Sequence, residues 1–431
     1  MKLQTEKTDF STRFNSFVGK TGLLTGFLLF PFVFEKIFAM GALRSDEWDG
    51  LLIFCFTLLV LSVIIFIRRK NIHTTFSLIL FAFLFLISVE LIARLSVKIF
   101  AGSETIKSLR EECNRTYTEN IAYTGHPFLQ FTGTPSIALK GNKALGNLKP
   151  FNNFGFVGKD FHYNKPVGVM RIACLGESTT EDGYPAFLES YLNRTLQNDS
   201  LRFEVMNFGH AYWTTNHSLV NFMLNVIDFN PDYIVIHHGW NEERVRHLSF
   251  SEFRGDYSHA YKVFEIPKVI DRYPIRLSII YRMIKFQFDN NPSWTSLGDY
   301  IQVHKKEIDT NYSNLDELKP FQRNLENIIT VSLSRNIKVV LTTLPHSTDP
   351  NTPLYFGHKS IDQCNDITKK IAAEFNDRIL FADLDSLITG KHNEFFRDLG
   401  HVNDAGRTMK SEAIGKKIIT DVNVVSTELC Q

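Results

Sequence analysis

The chain has 431 residues, which exceeds the size of one small domain and predicts a globular domain together with at least one other region. The formal net charge is +1 and the longest basic run is Arg68-Arg69-Lys70, so the sequence excludes a strongly basic nucleic-acid-binding protein. The five cysteines are scattered, without CxxC or Cys/His spacing, and predict neither a disulfide framework nor a zinc site.

Apolar residues are concentrated near the N-terminus, in three blocks that short charged stretches separate. Blocks 51–67 and 75–93 are each about long enough to cross the hydrocarbon core of a bilayer as a helix. The first block, 21–34, is shorter and contains Pro31. The sequence therefore predicts two to three transmembrane helices, with the first the least secure.

The orientation of this region follows from the basic cluster at 68–70, because short loops rich in Lys and Arg stay on the cytoplasmic side. Everything after about residue 100 is then predicted to be extracytoplasmic, in the periplasm or outside the cell. A signal peptide is the competing interpretation of the first block, since 39–41 loosely resembles a cleavage site. Glu90 and Arg94 have helical ion-pair spacing, which favours a structural pair over an ion path.

From residue 171 onward, short β-branched runs alternate with helix-length segments, which is typical of a layered α/β domain. The predicted strands cover 171–175, 203–207, 233–237, 338–344 and 379–384. The predicted helices cover 186–196, 218–228, 318–334, 361–375 and 404–420. This alternation predicts a parallel sheet with helices on both faces, and functional groups at the carboxyl ends of its strands.

The predicted domain organisation has three parts. Residues 1–100 form the membrane region, residues 101–150 form a linker that leads into the globular domain, and residues 151–425 form the α/β domain. Residues 243–316 do not fit the alternation of strands and helices. They are predicted to be an insertion that serves as a lid or packing element, in preference to a membrane-contacting surface.

Ser178 is the candidate nucleophile. The first predicted strand ends in Gly176-Glu177-Ser178-Thr179-Thr180, which places the serine at a strand-to-helix turn where its hydroxyl and backbone N–H can face a cleft. The full GxSxG motif is absent, because Thr180 stands at its second glycine. A helix N-cap is the alternative interpretation of a serine at this position.

Gly209 and Asn241 are the candidate oxyanion-hole residues besides the Ser178 N–H. The second strand ends in Asn207-Phe208-Gly209, and a glycine there lets a backbone N–H approach a bound oxygen. The third strand is followed by Gly239-Trp240-Asn241-Glu242, which puts a side-chain amide at the same sheet edge. A plain turn glycine would look identical to Gly209, and a lone GxN is weak evidence.

Asp398 and His401 precede the last predicted helix and can be presented by one short loop. In this arrangement the carboxylate fixes the imidazole tautomer, and the other ring nitrogen takes the serine proton. An ordinary surface Asp and His near a helix start is the alternative.

The four motifs occur in the order of the SGNH or GDSL-like hydrolase superfamily, which the segment from about 150 to 425 resembles. Ser178, Gly209, Asn241 and His401 match the residues for which its blocks are named, and Asp398 matches the acid before the histidine. The resemblance implies a flavodoxin-like three-layer α/β/α fold and serine-dependent ester cleavage or acyl transfer. Glu177 departs from the Gly-Asp-Ser form of the first block without removing a catalytic group.

The sequence thus predicts a serine esterase that cleaves O-acyl esters through an acyl-enzyme on the outer face of a membrane. An O-acyltransferase or deacylase acting on an envelope glycan or lipid is the alternative, and a non-catalytic binding protein is a weaker one. No cofactor is expected. No metal is expected either, because the adjacent His237 and His238 point to opposite faces of a strand.

Overall fold

The computed structural model describes residues 2–38, 45–100, 123–135, 151–196, 201–246, 253–260, 278–281, 284 and 312–428. The chain divides into two compact units, each described by itself below. The first combines Met1–Asn120 with Pro267–Pro292, and the second combines Ile121–Ile266 with Ser293–Gln431. A part of the segment predicted as an insertion therefore belongs to the unit of the N-terminal helices.

The N-terminal unit is helical, because an apolar segment can satisfy its backbone groups internally only as a helix. Its helices are α1 (Lys2–Leu28), α2 (Pro31–Ile37), α3 (Ser45–Ile67) and α4 (Thr74–Phe100). Helices α3 and α4 are long and apolar enough to cross a membrane, judged by length and composition. Helices α1 and α2 meet at a bend of 72°, and they make a third candidate only if the bent pair is one span.

Large apolar side chains are exposed along these helices, among them Ile53, Ile67, Phe85 and Ile92. Exposed apolar surface of this extent is expected against lipid, which suggests membrane association. Glu90 and Arg94 form the predicted ion pair, with 2.7 Å between Oε1 and Nε.

Glu90 has a second set of partners in the same unit. Its Oε2 accepts a hydrogen bond from the Ser278 hydroxyl, and its Oε1 accepts one from the Ile279 N–H, both at 2.8 Å. These bonds lie at the start of a helical turn at 279–281. The Glu90 carboxylate is therefore fully used within its unit, which agrees with a structural role.

The second unit is built on a five-stranded parallel sheet in the order β4-β3-β5-β6-β7. This is the flavodoxin-like strand order, in which the first strand lies in the sheet interior and the order of strands across the sheet changes direction once. The strands are β3 (Val169–Gly176), β4 (Arg202–Gly209), β5 (Tyr233–His237), β6 (Lys338–Thr342) and β7 (Leu380–Ala382). All five predicted strands are present, so the α/β prediction is confirmed.

Helices cover both faces of the sheet, because alternate strand residues point to opposite sides. Ala173 and Leu175 of β3 join the apolar cluster on one face, whereas Ile172 and Cys174 join the cluster on the other. The helices of this unit are α5 (Ser178–Glu181), α6 (Tyr184–Thr195), α7 (Thr215–Leu224), α8 (Asn241–Arg246), α9 (Lys319–Ser334), α10 (His358–Phe375), α11 (Leu384–Ile388) and α12 (Asp404–Glu428). The three-layer α/β/α prediction is thereby confirmed.

A small hairpin precedes the sheet, formed by β1 (Tyr123–His126) and β2 (Gln130–Gly133). It lies in the segment that the sequence predicted to be a linker. Phe131 of β2 is 3% exposed and belongs to the apolar cluster that also contains Trp213. The hairpin is therefore part of the folded unit.

Arg171 fastens the start of β3 to its surroundings from a buried position. Its Nε donates to Glu204 Oε2 at 2.6 Å. Its Nη1 donates to the carbonyls of Tyr163 (2.9 Å) and Phe229 (2.8 Å), and its Nη2 donates to that of Asn164 (3.1 Å). One side chain thus satisfies three carbonyl groups and one carboxylate.

We expect Arg171→Met to lower the free energy of unfolding by about 3–5 kcal/mol, because these acceptors would lose their donor. Urea-induced unfolding followed by tryptophan fluorescence measures the change. The matched control is Arg202→Met, an exposed arginine on the adjacent strand, which should change stability by no more than about 0.5 kcal/mol. Equal effects of the two substitutions would contradict the role assigned to Arg171.

Candidate active site

Ser178 is the first residue of α5, two residues after the carboxyl end of β3 at Gly176. Its neighbours Glu177, Thr179 and Thr180 are buried, whereas Ser178 itself is partly exposed. The N-cap of α5 is Glu177, so the alternative that Ser178 caps the helix is wrong. Among the described residues, neither the hydroxyl nor the N–H of Ser178 has a hydrogen-bond partner, and both remain available to a ligand.

Asp398 and His401 lie close together in the loop before α12. His401 Nδ1 lies 2.8 Å from Asp398 Oδ2, and Asp398 Oδ1 accepts the N–H groups of His401 (2.8 Å) and Gly400 (3.1 Å). Burial acts to raise the pKa of Asp398, but these hydrogen bonds and the His401 ring hold it below its usual value. An ionised Asp398 keeps the proton on Nδ1, which leaves Nε2 with its lone pair free to accept a proton.

The loop that carries His401 is attached to the far end of α5. Asp182, which follows α5, forms ion pairs with Arg397 and Arg407 on either side of the loop. Gly400 lies against Trp240 and Thr179, where a Cβ would come within 2.7 Å of the Trp240 ring. These contacts bring the loop with His401 to the same sheet edge as Ser178.

Gly209 ends β4 and packs against α5. A Cβ at this position would lie 2.4 Å from the Glu181 backbone nitrogen, so only glycine allows the close approach. The Gly209 N–H donates to Asn207 Oδ1 at 2.9 Å. In this structure the predicted oxyanion donor is therefore already hydrogen-bonded to its own strand.

Asn241 is the first residue of α8 and is 2% exposed. Its side-chain Nδ2 donates to the Trp213 carbonyl at 2.9 Å, which fixes the orientation of the amide. An amide nitrogen carries two hydrogens. The second one has no partner among the described residues and remains available to a ligand oxygen.

Glu177 positions this loop, a role that the sequence analysis missed. Its Oε1 accepts the Trp240 N–H at 2.9 Å and its Oε2 accepts the Asn241 N–H at 2.7 Å. Burial and, next, the neighbouring Glu242 carboxylate raise the pKa of Glu177 to about 8, although these two bonds act to lower it. The signal in the sequence is an acidic residue directly after a buried strand, with no Lys or Arg between 172 and 182.

Glu177, His238 and Glu242 have donor atoms within 4.8 Å of one another and could hold a metal ion by spacing. Both oxygens of Glu177 already accept backbone hydrogen bonds. His238 Nε2 pairs with the Ser218 hydroxyl and Glu242 Oε1 accepts from Thr215, which leaves His238 Nδ1 and Glu242 Oε2 unpartnered. The expectation of no metal remains a prediction.

His237 points to the opposite face from His238, as the sequence predicted. Its Nδ1 lies 2.8 Å from the Thr342 hydroxyl and its Nε2 lies 3.2 Å from Lys410 Nζ. Because the Thr342 hydroxyl donates to the Ile236 carbonyl, it accepts the His237 Nδ1 proton, and Nε2 accepts from Lys410. Burial lowers the pKa of Lys410 to about 8, with Asp182 and Glu177 acting in the opposite direction.

Comparison with known proteins identifies the family of this domain. The model of the GDSL-like Lipase/Acylhydrolase family matches residues 174–408, which is more than half of the chain. No curated protein sequence matches significantly. Among solved structures, an acetylxylan esterase from Geobacillus stearothermophilus is 17% identical, with 58% of this chain and 95% of that chain covered and a TM-score of 0.36. A lipase/acylhydrolase from Enterococcus faecalis is 14% identical, with 58% and 95% covered and a TM-score of 0.36.

We expect Glu177→Gln to lower turnover of a short acyl ester about tenfold or more, because glutamine has one acceptor oxygen for two N–H groups and Asn241 would shift. Glu177→Asp is the matched control, since it keeps both acceptor oxygens and should retain more activity. Turnover by both variants, with circular dichroism as a folding check, measures the difference. A Gln variant as active as the wild type would remove Glu177 from the positioning of Asn241.

The pH dependence of the free energy of unfolding gives a second measurement of the effect of Glu177→Gln. Because the pKa of Glu177 is raised from 4.5 to about 8, its contribution to stability is fully present below pH 4.5 and is lost as the pH rises to about 8. Glu177→Gln lacks this titration. The free energy of unfolding should therefore fall more steeply with pH in the wild type than in the Gln variant.

Proposed function

Since this chain belongs to the GDSL-like lipase/acylhydrolase family, and is therefore an ester-bond hydrolase, we propose that Ser178, His401 and Asp398 are its catalytic triad. The observation that carries the proposal is the 2.8 Å contact between His401 Nδ1 and Asp398. It leaves Nε2 as the base, at the same sheet edge as a serine whose hydroxyl has no partner among the described residues. Family membership also argues against the non-catalytic alternative.

In the proposed reaction, Ser178 Oγ attacks the ester carbonyl carbon while its proton passes to His401 Nε2, and Asp398 stabilises the resulting imidazolium. The tetrahedral intermediate collapses as His401 gives this proton to the leaving alcohol. Water then attacks the acyl-enzyme by the same steps and releases the acid. Without substrate, Ser178 and His401 are not hydrogen-bonded, and we infer that the bond forms when the substrate closes the site.

The proposed oxyanion hole consists of the Ser178 N–H, the Asn241 amide and the Gly209 N–H. Two of these donors have an uncommitted hydrogen among the described residues. The Gly209 N–H must exchange Asn207 Oδ1 for the substrate oxygen before it can contribute. We therefore expect Ser178 and Asn241 to supply the first stabilisation of the developing charge.

The proposed location of the catalytic domain is extracytoplasmic, with a multi-pass membrane region before it. The candidate spans α3 and α4 flank the basic cluster at 68–70, which supports an inward position for that loop. An envelope glycan or lipid is the proposed ester-bearing substrate. Transfer of the acyl group to a hydroxyl acceptor would use the same residues in the same roles, with the acceptor in place of water.

We expect Ser178→Ala and His401→Ala each to lower turnover of a short acyl ester by about a thousandfold or more, and the double variant to be scarcely worse than either. Nucleophile and base act as a unit, so their losses do not multiply. Ester hydrolysis and labelling by an active-serine phosphonate probe measure the effect. The matched control is Ser190→Ala, an exposed serine on α6, which should keep both activities. A folded Ser178→Ala variant with near wild-type turnover would refute the triad.

We expect alkaline phosphatase fused after Gln431 to be active, and a reporter that works only in the cytoplasm to be inactive there. The same two reporters fused after Lys70 should give the reverse result, because that loop is proposed to be cytoplasmic. Enzyme assays on intact cells measure both pairs. Cytoplasmic activity at both positions would show that the proposed orientation is wrong.

A further inference from the structure

Arg244 is a cation beside the proposed triad that the mechanism above does not use. Its guanidinium carbon lies 5.3 Å from the ring centroid of Tyr212 and 5.6 Å from that of Trp240. The Trp240 ring in turn lies 5.1 Å from the His401 ring. Arg244 also follows Asn241 by three residues on α8, which places both on one face of the helix. The Trp240 ring therefore contacts both the Arg244 guanidinium and the imidazole of the proposed catalytic histidine.

The guanidinium of Arg244 has no hydrogen bond or ion pair in the part of the chain that the structure describes, and the side chain is partly exposed. Arg246, two residues later, is the opposite case. It donates to Glu317, to the side chains of Ser360 and Gln363, and to the carbonyl groups of Tyr312 and Asn314. On this short helix, Arg246 is therefore fully hydrogen-bonded within the fold, whereas the guanidinium of Arg244 has no hydrogen bond among the described residues.

Stacking on aromatic rings restricts a guanidinium to one orientation while its N–H edge stays free. Such an edge matches the paired oxygens of a carboxylate or a phosphate. The buried carboxyl of Glu177 offers little repulsion to an anion at neutral pH, since burial and Glu242 raise its pKa to about 8, although Arg244 acts to lower it. Asp398 is held in its own contact with His401.

We propose that Arg244, held by Tyr212 and Trp240, binds an anionic group of the substrate, so that the enzyme prefers esters carrying a carboxylate or a phosphate next to the scissile bond. This proposal rests on the proposed esterase function, because it concerns the substrate of the same site. It makes Arg244 a specificity-determining residue that contributes nothing to the chemistry of a neutral ester.

The test uses the full chain and three acetate esters: 4-acetoxybenzoate, 4-acetoxyphenyl phosphate and the neutral methyl 4-acetoxybenzoate. We expect Arg244→Gln to lower kcat/KM about tenfold or more for an anionic ester and less than about threefold for the neutral one. A loss confined to the carboxylate or to the phosphate ester identifies which anion the site takes. Arg244→Lys should lie between, since it keeps the charge and loses the planar fork.

The matched control is Arg335→Gln, an exposed arginine ahead of β6 at the opposite end of the sheet, which should leave all three values unchanged. Equal losses for the three esters would show a structural role for Arg244, and no loss would show no role; either result overturns the proposal.

A binding experiment tests the anion site separately from the proposed esterase function. Tryptophan fluorescence is titrated with 4-hydroxybenzoate and with 4-hydroxyphenyl phosphate. Saturable binding that Arg244→Gln abolishes, in a chain without Ser178-dependent hydrolysis, would support the anion site and refute the esterase. Unchanged binding in Arg244→Gln would overturn the anion site.

Discussion

The buried carboxyl group of Glu177 holds the loop after β5 against the loop after β3, because it accepts the N–H groups of both Trp240 and Asn241. Helices α5 and α8 begin beside these bonds, at Ser178 and Asn241. One side chain thus sets the position of the proposed nucleophile relative to the proposed amide donor. Burial also raises the pKa of this carboxyl to about 8. Its charge therefore changes with pH near neutrality, where most side chains do not titrate.

A second connection brings the remaining group to the site. Asp182, at the end of α5, pairs with Arg397 and Arg407, and these flank the loop that presents His401. The proposed base therefore comes from a segment more than two hundred residues away in sequence, and its place depends on one carboxylate at the end of a four-residue helix. Asp398 then fixes the ring by accepting hydrogen bonds from the His401 N–H and from His401 Nδ1. Position and orientation of the imidazole thus have separate causes.

The sheet could be predicted from the sequence because its strands are short β-branched runs, and that pattern depends only on neighbouring residues. The places of Ser178, Asn241 and the Asp398–His401 pair in the fold could be predicted because each follows a strand or precedes a helix. The β1–β2 hairpin could not, since its strands are only four residues long and Phe131 gains its burial from distant residues. The Gly209 N–H was predicted as a free donor, yet its partner is the side chain of Asn207, and turn geometry of this kind is not visible in composition.

Arg244 and Arg246 show most clearly where local sequence stops being informative. They lie on the same six-residue helix, and a pattern-based analysis treats them alike. The structure separates them because Arg246 meets Glu317 and Gln363, about seventy and more than a hundred residues away, whereas Arg244 meets two aromatic rings. Arg397 and Arg407 form ion pairs with Asp182, whereas Arg244 has no ion pair with any described carboxylate. A guanidinium without an ion-pair partner makes the local potential more positive, and a substrate anion is the partner that we propose for it.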